Sequence, residues 1–215
     1  YIEVSRLNDF SYYKEIQANI DNIVGDKVYI NLLMFSMFSV VWITLLGFGS
    51  PLLIVSGIFF GKWLGTFISV ISISIGALIL YTIANFFFKD LINKLLEKKF
   101  SKYIYLFKKN EFYYFFIFRL VGGLGLPFPL QNTLPVIFNI TKLNYFFASF
   151  LGFIPGMFIW VAVGSGINKF IEESDNFSFI NLILSKEIYL PIIYFVIFIL
   201  FSLTIKKKFF NVQDK

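Results

Sequence analysis

Residues 118–135 read FRLVGGLGLPFPLQNTLP. An arginine leads into an almost entirely apolar stretch that contains three glycines and three prolines. Glycine and proline are poorly suited to the interior of a helix, and arginine is costly in lipid. This stretch is therefore apolar enough to enter a membrane but too irregular to cross it as one regular helix.

The rest of the chain has the composition of a membrane protein. Charged residues make up 15% of it, whereas soluble domains average about 25%. The sequence has no cysteine and no histidine, which excludes disulfides, thiolate chemistry, histidine bases and the usual zinc, copper and haem sites. We therefore expect an integral membrane protein without a cofactor or metal. The chain begins with Tyr1 and not with methionine, which leaves an upstream segment open.

Long uncharged stretches indicate the membrane-spanning helices. A helix needs about 20 apolar residues to cross a hydrocarbon core, and apolarity on all sides is typical of membrane helices. We predict an all-α polytopic membrane protein with four full spans, which are residues 28–46, 63–88, 143–166 and 188–205.

Two further apolar segments are interrupted by glycine and proline. The first is 47–62 (GFGSPLLIVSGIFFGK), which contains Pro51, and the second is 113–140, which contains Pro127 and Pro129. Irregular backbone at membrane depth is tolerated only where protein or a water-filled cavity satisfies its polar groups. We predict that both segments form re-entrant helical hairpins that face each other. An ordinary span with a proline kink is the alternative.

The charged segments suggest how the chain is oriented. Residues 89–112 carry seven lysines and an apolar stripe at helical spacing (Ile92, Leu96, Phe100, Tyr103 and Phe107), which is typical of an interfacial amphipathic helix. We predict a weaker amphipathic segment at 1–27, a single membrane domain over 28–205 and a basic tail at 206–215. Because the lysines flank apolar spans, we attribute them to the positive-inside bias and to anionic headgroups, and we expect no nucleic-acid partner.

This orientation makes the two predicted hairpins enter from opposite sides of the membrane, which is the arrangement of an inverted repeat. Small residues occur at matching places in both halves and would let helices approach closely in lipid. Taken singly, these residues indicate packing and nothing more. We assign structural roles in and around the hairpins to Gly57, Gly61, Gly65, Gly152, Pro155 and Gly156.

Only two strong charges fall within the membrane-depth segments, Lys62 and Arg119. No acidic residue lies between Val28 and Lys89 or between Phe112 and Ile171, which excludes paired-carboxylate catalysis and acidic proton relays there. Arginine can make two parallel hydrogen bonds to a phosphate. We predict an anion site formed by Arg119, Gly122, Gly123, Gly125, Gln131, Asn132 and Lys62. The alternative is that both cations snorkel or bind backbone carbonyls.

Three motifs together resemble the VTT domain of the DedA superfamily. They are SGIFFGKWLG at 56–65, FRLVGGLGLPFPLQN at 118–132 and FASFLGFIPGMFIWVAVGS at 147–165. The resemblance implies an inverted repeat with facing re-entrant hairpins, in a protein that moves lipids across a bilayer as a phospholipid scramblase or a polyprenyl-phosphate carrier. It also implies a bacterial inner membrane. Arg119, Pro127, Pro129 and Asn132 match the family motif.

The sequence departs from that family pattern in two places. The first-hairpin segment 47–62 has no acidic residue, although bacterial members of the family carry acids there that are tied to proton coupling. An arginine common in the family is replaced by Asn85 or a neighbour. Uncoupled lipid movement therefore fits the residues better than ion-coupled transport.

We accordingly expect lipid translocation, with membrane lipids as partners through their anionic headgroups and no enzymatic activity. A secondary transporter for a small solute and a non-transporting membrane scaffold are the alternatives. A homo-oligomer is left open.

Overall fold

The computed structural model describes residues 27–173 and 179–210, together with seven positions between residues 11 and 22. Side chains at 96, 97, 99–103, 105, 106, 179, 206 and 208–210 are outside this description. Most of the predicted segment 1–27 therefore lies outside the described residues, and so does 211–215 of the predicted tail. The described residues contain helices and short connections and no strand.

Eight α-helices and two short 3₁₀ helices are described between residues 27 and 210. In chain order they are α1 (Val28–Thr44), α2 (Gly49–Phe87), α3 (Lys89–Lys109), α4 (Glu111–Leu120), a 3₁₀ turn (Gly123–Gly125), α5 (Phe128–Thr133), a second 3₁₀ helix (Leu134–Phe138), α6 (Lys142–Glu173), α7 (Phe179–Leu184) and α8 (Lys186–Phe210). The basic tail predicted from residue 206 begins as a continuation of α8.

Three of these helices are long and apolar enough to cross a membrane, and they are Gly49–Phe87, Lys142–Glu173 and Lys186–Ile205. The fourth predicted span, 28–46, is not among them. Its helix α1 has 17 residues and is classed with the shorter apolar helices.

Helix α1 packs against α2. The Phe35 ring lies 5.5 Å from the Phe60 ring, and the other end of α1 packs against Gly76 through Ile43. The chain reverses at residues 45–48, which we call the first tip. Leu46 has a positive φ of 67° there, and Trp42 Nε1 donates a hydrogen bond of 3.0 Å to the carbonyl of Phe48.

The helix α2 is broken at Gly61, where φ is 69° and ψ is 175°. Ser69 Oγ donates to Ser56 Oγ at 2.8 Å, although residues 13 apart in a straight helix lie about 20 Å from each other. The chain therefore folds back at Gly61, and 62–87 runs antiparallel to 49–60. The predicted bounds of the first hairpin, 47–62, are thus wrong. This segment forms one arm of the first hairpin, and the chain reverses before it, at the first tip.

The segment that opened the sequence analysis also reverses. Helix α4 has 10 residues and so spans about 15 Å, which is half of a hydrocarbon core of about 30 Å. The chain then turns through residues 121–127, which we call the second tip, and returns through α5 and the second 3₁₀ helix. Positive φ angles at Gly122, Gly123, Leu124 and Gly125 make this turn.

The two ends of this second reversal are held together by Glu111. Its carboxylate accepts hydrogen bonds from the Thr141 backbone N–H at 3.1 Å and from Thr141 Oγ1 at 2.7 Å. Asn144 Nδ2 donates to the same carboxylate. Residues 111 and 141 therefore lie at the same end of the helix bundle, with the second tip inside it.

Replacing Glu111 with glutamine is expected to destabilise the protein by about 1–2 kcal/mol. An amide keeps one acceptor but presents an NH₂ group to donors, and hydrogen bonds to a charged group contribute about 1.5–3 kcal/mol, less at this partly exposed position. Thermal unfolding in detergent measures the loss. Glu172→Gln is the control, because its carboxylate is exposed and accepts from Asn168 one turn away, a pair worth under about 0.5 kcal/mol. Equal losses in the two variants would contradict the expectation.

The basic helix α3 packs its apolar side on the returning segment. Phe107 is 2% exposed and stacks on Phe138 with ring centroids 3.9 Å apart. Ile92 also contacts the core. The side chains of Leu96, Phe100 and Tyr103 in the predicted stripe lie outside the described set. The described part of the stripe thus serves to dock α3 against the bundle.

Candidate functional site

Arg119 lies near the end of α4, next to the second tip, and is only 3% exposed. Its Nε donates to Ser149 Oγ at 3.0 Å, and its Nη2 donates to the Tyr145 hydroxyl at 2.7 Å. That hydroxyl donates in turn to the backbone carbonyl of Asn132 at 3.1 Å. The arginine therefore links α4 to α6, and Tyr145 extends the link to α5.

Three aromatic rings surround the guanidinium group. The guanidinium carbon lies 4.8 Å from the ring centroid of Phe115, 5.2 Å from that of Tyr145 and 4.6 Å from that of Phe153. Aromatic faces attract a cation at such distances. None of the contacts described for Arg119 involves a carboxylate, so neutral groups alone hold the buried charge.

One nitrogen of the guanidinium group has no described partner. Arg119 Nη1 is buried and has no hydrogen-bond partner among the described residues. A buried charged donor without a partner carries a desolvation cost. Arg119 is thus held by two of its nitrogens, and the N–H groups of the third are buried without a described acceptor.

Arg119 lines a cavity of about 280 Å³, close to the lower end of the range of about 300–1,000 Å³ for ligand pockets. The cavity lies between the two tips. Its polar side chains are Arg119, Ser50 and Gln131, and its remaining wall is apolar, formed by Phe48, Gly49, Leu53, Gly122, Phe128, Gly152, Phe153, Gly156, Met157, Trp160, Phe195 and Phe198. A cavity with these walls suits a ligand in which a small anionic group is attached to an apolar group.

The Gln131 side chain stabilises the second tip through two hydrogen bonds. Its side-chain Nε2 donates to the carbonyl of Gly122 at 3.2 Å and to that of Leu126 at 2.6 Å. A Cβ added at Gly122 would meet nothing within 4 Å, so this face of the turn is open. Gln131 supports the turn with its amide nitrogen and lines the cavity at the same time.

The predicted site residues do not all come together. Arg119, Gly122 and Gln131 line the cavity, whereas Gly123 packs against the Gln131 side chain. Asn132 is fully buried, and its side-chain nitrogen and oxygen have no partner among the described residues. Gly125 lines a neighbouring cavity.

Lys62 lies away from the other residues of the predicted site. It follows the break at Gly61, at the far end of arm 49–60 from the first tip. Its side chain is exposed, and Nζ lies 5.9 Å from the centroid of the Trp63 ring. It does not line the cavity of Arg119, and its position fits the snorkelling alternative.

The predicted structural residues take several roles. Gly61 makes the break, while Gly57, Gly65 and Gly152 lie where another segment approaches too closely for a side chain. Gly156 has ordinary space beside Phe198. The prolines lie in the first turn of α2 (Pro51), before and within α5 (Pro127 and Pro129) and inside α6 (Pro155).

Sequence reasoning missed the residues that hold Arg119. Tyr145 and Ser149 lie four positions apart, so they share one face of α6. A polar stripe on an otherwise apolar helix was the available signal. The aromatic contacts of Phe115 and Phe153 had no such signal among 31 phenylalanines.

A family model for the VTT domain matches residues 42–166, more than half of the chain. The matched region runs from the end of α1 into α6 and includes both tips and the wall of the Arg119 cavity except for Phe195 and Phe198. No solved structure matches the chain.

Proposed function

Because the chain belongs to the VTT-domain family, the DedA type of integral membrane protein, we propose that it translocates phosphate-headed lipids between the two leaflets of a membrane. The phosphate binds in the cavity between the tips, and Arg119 receives it. The lipid is a phospholipid or a polyprenyl phosphate, and the membrane is the bacterial inner membrane.

The observation that carries this proposal is the buried Nη1 of Arg119, which has no described partner in a site whose described contacts are all neutral. A buried charge without an opposite charge costs several kcal/mol after relaxation. A phosphate oxygen would satisfy Nη1 with a charge-assisted hydrogen bond and neutralise the guanidinium group. The cavity beside it leaves room for this anion.

The path of the chain supports re-entrant hairpins as the frame of this site. In each half of the chain, two short segments that run in opposite directions are followed by a long helix. In the first half the short segments lie within 28–60 and the long helix is 62–87, and in the second half they lie within 111–138 and the long helix is α6. The long helices run antiparallel, since Tyr81 near the end of α2 stacks on Tyr145 near the start of α6, with centroids 4.4 Å apart. We infer an inverted repeat whose tips meet inside the membrane, with the lysine-rich α3 on the cytoplasmic side.

The residues also favour movement down the lipid's own gradient. No acidic residue occurs from 28 to 89, so the first tip and both arms of α2 have none. Proton coupling inside a membrane normally uses carboxylates. A secondary transporter for a small solute would share this architecture and could use the cavity, but it would need such a coupling group.

Reconstitution into liposomes tests the proposal. A phospholipid with a fluorescent acyl chain should become accessible to a membrane-impermeant quencher faster in protein-containing vesicles than in empty ones. Glucosylceramide with the same labelled chain is the matched probe, because it lacks the phosphate and should move no faster than in empty vesicles. Equal rates for the phospholipid with and without protein would refute lipid translocation.

A further inference from the structure

A second cavity of about 270 Å³ lies on the other side of the second tip. Its walls are formed by the second tip and by the last long helix, α8. Its wall consists of Val121, Gly122, Leu124, Gly125, Phe195, Phe198, Ile199, Ser202 and Leu203. Ser202 is the one polar side chain in this wall, and its hydroxyl faces the carbonyl of Leu120 at 3.5 Å.

The two cavities are neighbours with a common wall. Gly122, Phe195 and Phe198 line both of them. The Phe198 ring also packs on Gly156, where an added Cβ would lie 3.6 Å from it. Two aromatic side chains on α8 and one glycine in the second tip therefore separate the charged cavity from the apolar one.

The second cavity is also open to the outside of the bundle. Leu203 is 55% exposed and Ile199 is 40% exposed, although both line the cavity. Gly122 and Gly125 are exposed as well, and a Cβ at either glycine would meet nothing within 4 Å. In a membrane this gap between α8 and the second tip faces the lipid hydrocarbon.

We propose that the second cavity binds the hydrocarbon chain of the same lipid whose phosphate binds Arg119. The inference rests on the proposed function and narrows its substrate class to phosphates that carry a long apolar chain. A soluble phosphate would occupy the Arg119 cavity and leave the second cavity empty. Because the apolar cavity opens sideways and shares a wall with the charged one, the lipid enters between α8 and the second tip, with Phe195 and Phe198 at the junction of headgroup and chain.

Two leucines of α8 provide a matched test. Leu203 lines the cavity, whereas Leu200, three residues earlier and 60% exposed, does not. Leu203→Trp should fill the cavity and slow phospholipid translocation about tenfold, the effect of excluding roughly two methylene groups from an apolar site. Leu200→Trp should leave the rate within about twofold of wild type, since tryptophan is tolerated on a lipid-facing surface.

A photoreactive phospholipid with a diazirine in its acyl chain gives a second readout that does not require transport. Peptide mass spectrometry should place the label on Ile199 and Leu203 in preference to Leu200, and Arg119→Leu should abolish this preference. Diacylglycerol with the same chains should show no preference, because it has no phosphate to anchor it.

The outcomes separate the two proposals. If wild type moves phospholipid but both tryptophan variants match it, lipid translocation stands and the chain-binding cavity is wrong. If wild type moves no lipid, lipid translocation is wrong, and the labelling pattern still decides the cavity. Labelling by diacylglycerol equal to that by phospholipid would overturn the inference.

Discussion

Replacing Arg119 with leucine is expected to slow lipid translocation by about one to two orders of magnitude. The variant removes the charged donors that would meet the phosphate in the cavity between the tips. Hydrogen bonds to a charged group contribute about 1.5–3 kcal/mol, and each 1.4 kcal/mol is a factor of ten. We therefore expect the rate of phospholipid exposure to fall about 10- to 100-fold, measured in the liposome assay described above.

The same variant should remain folded, because the opposing contributions to its stability are similar. Leucine removes a buried charge whose desolvation costs several kcal/mol. It also removes two hydrogen bonds of a charged donor, worth about 1.5–3 kcal/mol each, and three aromatic contacts worth about 0.5–2 kcal/mol each, which together are comparable to that cost. We expect the free energy of unfolding to change by less than about 2 kcal/mol, as measured by thermal unfolding in detergent.

Two further variants make this result specific. Arg119→Lys keeps the charge but loses the planar guanidinium group, so its rate should fall between those of wild type and Arg119→Leu. Lys62→Leu removes the other membrane-depth cation, which lies outside the cavity, and should retain the wild-type rate. A large loss of stability together with activity in Arg119→Leu would instead assign the arginine a structural role.

Replacing Gly164 with alanine is expected to destabilise the protein by about 3 kcal/mol, at the upper end of the usual cost of overpacking. A Cβ at this position would lie 2.1 Å from the carbonyl oxygen of Ile54. This neighbour is backbone in the middle of arm 49–60, so it cannot rotate away. The arm and α6 would have to separate, and they carry one side of the Arg119 cavity. Thermal unfolding measures the loss.

Gly156→Ala is the matched control on the same helix. Its Cβ would lie 3.6 Å from the Phe198 ring, an ordinary contact, and alanine favours the helix by about 1 kcal/mol over glycine. We expect no loss of stability. Destabilisation equal to that of Gly164→Ala would show that the close approach of the two helices is not what makes Gly164 necessary.

A double variant tests the same contact from both sides. Gly57 lies on the opposing arm, and its added Cβ would be 2.0 Å from the carbonyl oxygen of Val161. Once one alanine has separated the helices, the second meets less resistance. The combined loss of Gly57→Ala and Gly164→Ala should therefore be smaller than the sum of the single losses, and strict additivity would contradict a shared interface.

The irregular stretch at 118–135 was informative because its residues restrict the backbone locally. Of the four residues with positive φ at 122–125, three are glycine, which adopts such angles readily, and Pro127 and Pro129 start the short helix that follows. These requirements do not depend on distant neighbours, so the reversal within 113–140 could be predicted from the sequence. The buried arginine stood out for the same reason, as one charge in an apolar stretch.

The first reversal was misplaced because the apolar segment before it gives no sign of what it packs against. Residues 28–46 are uniformly apolar, and uniform apolarity predicts a span as readily as one arm of a hairpin. Whether α1 crosses alone or pairs with 49–60 depends on contacts such as Phe35 with Phe60, which join residues far apart in the chain. Leu46, with its positive φ, gives no sign of a turn in the sequence.

By itself, the sequence determined an all-helical membrane protein, the second tip and one buried cation, since hydrophobicity, glycine and proline act over a few residues. Tertiary structure alone decided the rest. It gave Arg119 its partners on α6, left its buried Nη1 without a described partner, put Arg119 in the wall of a cavity that Lys62 does not line, and put an apolar cavity beside it. The physical reason is that burial and hydrogen bonding depend on which helices pack together, and in lipid nearly every apolar face is an acceptable partner for another.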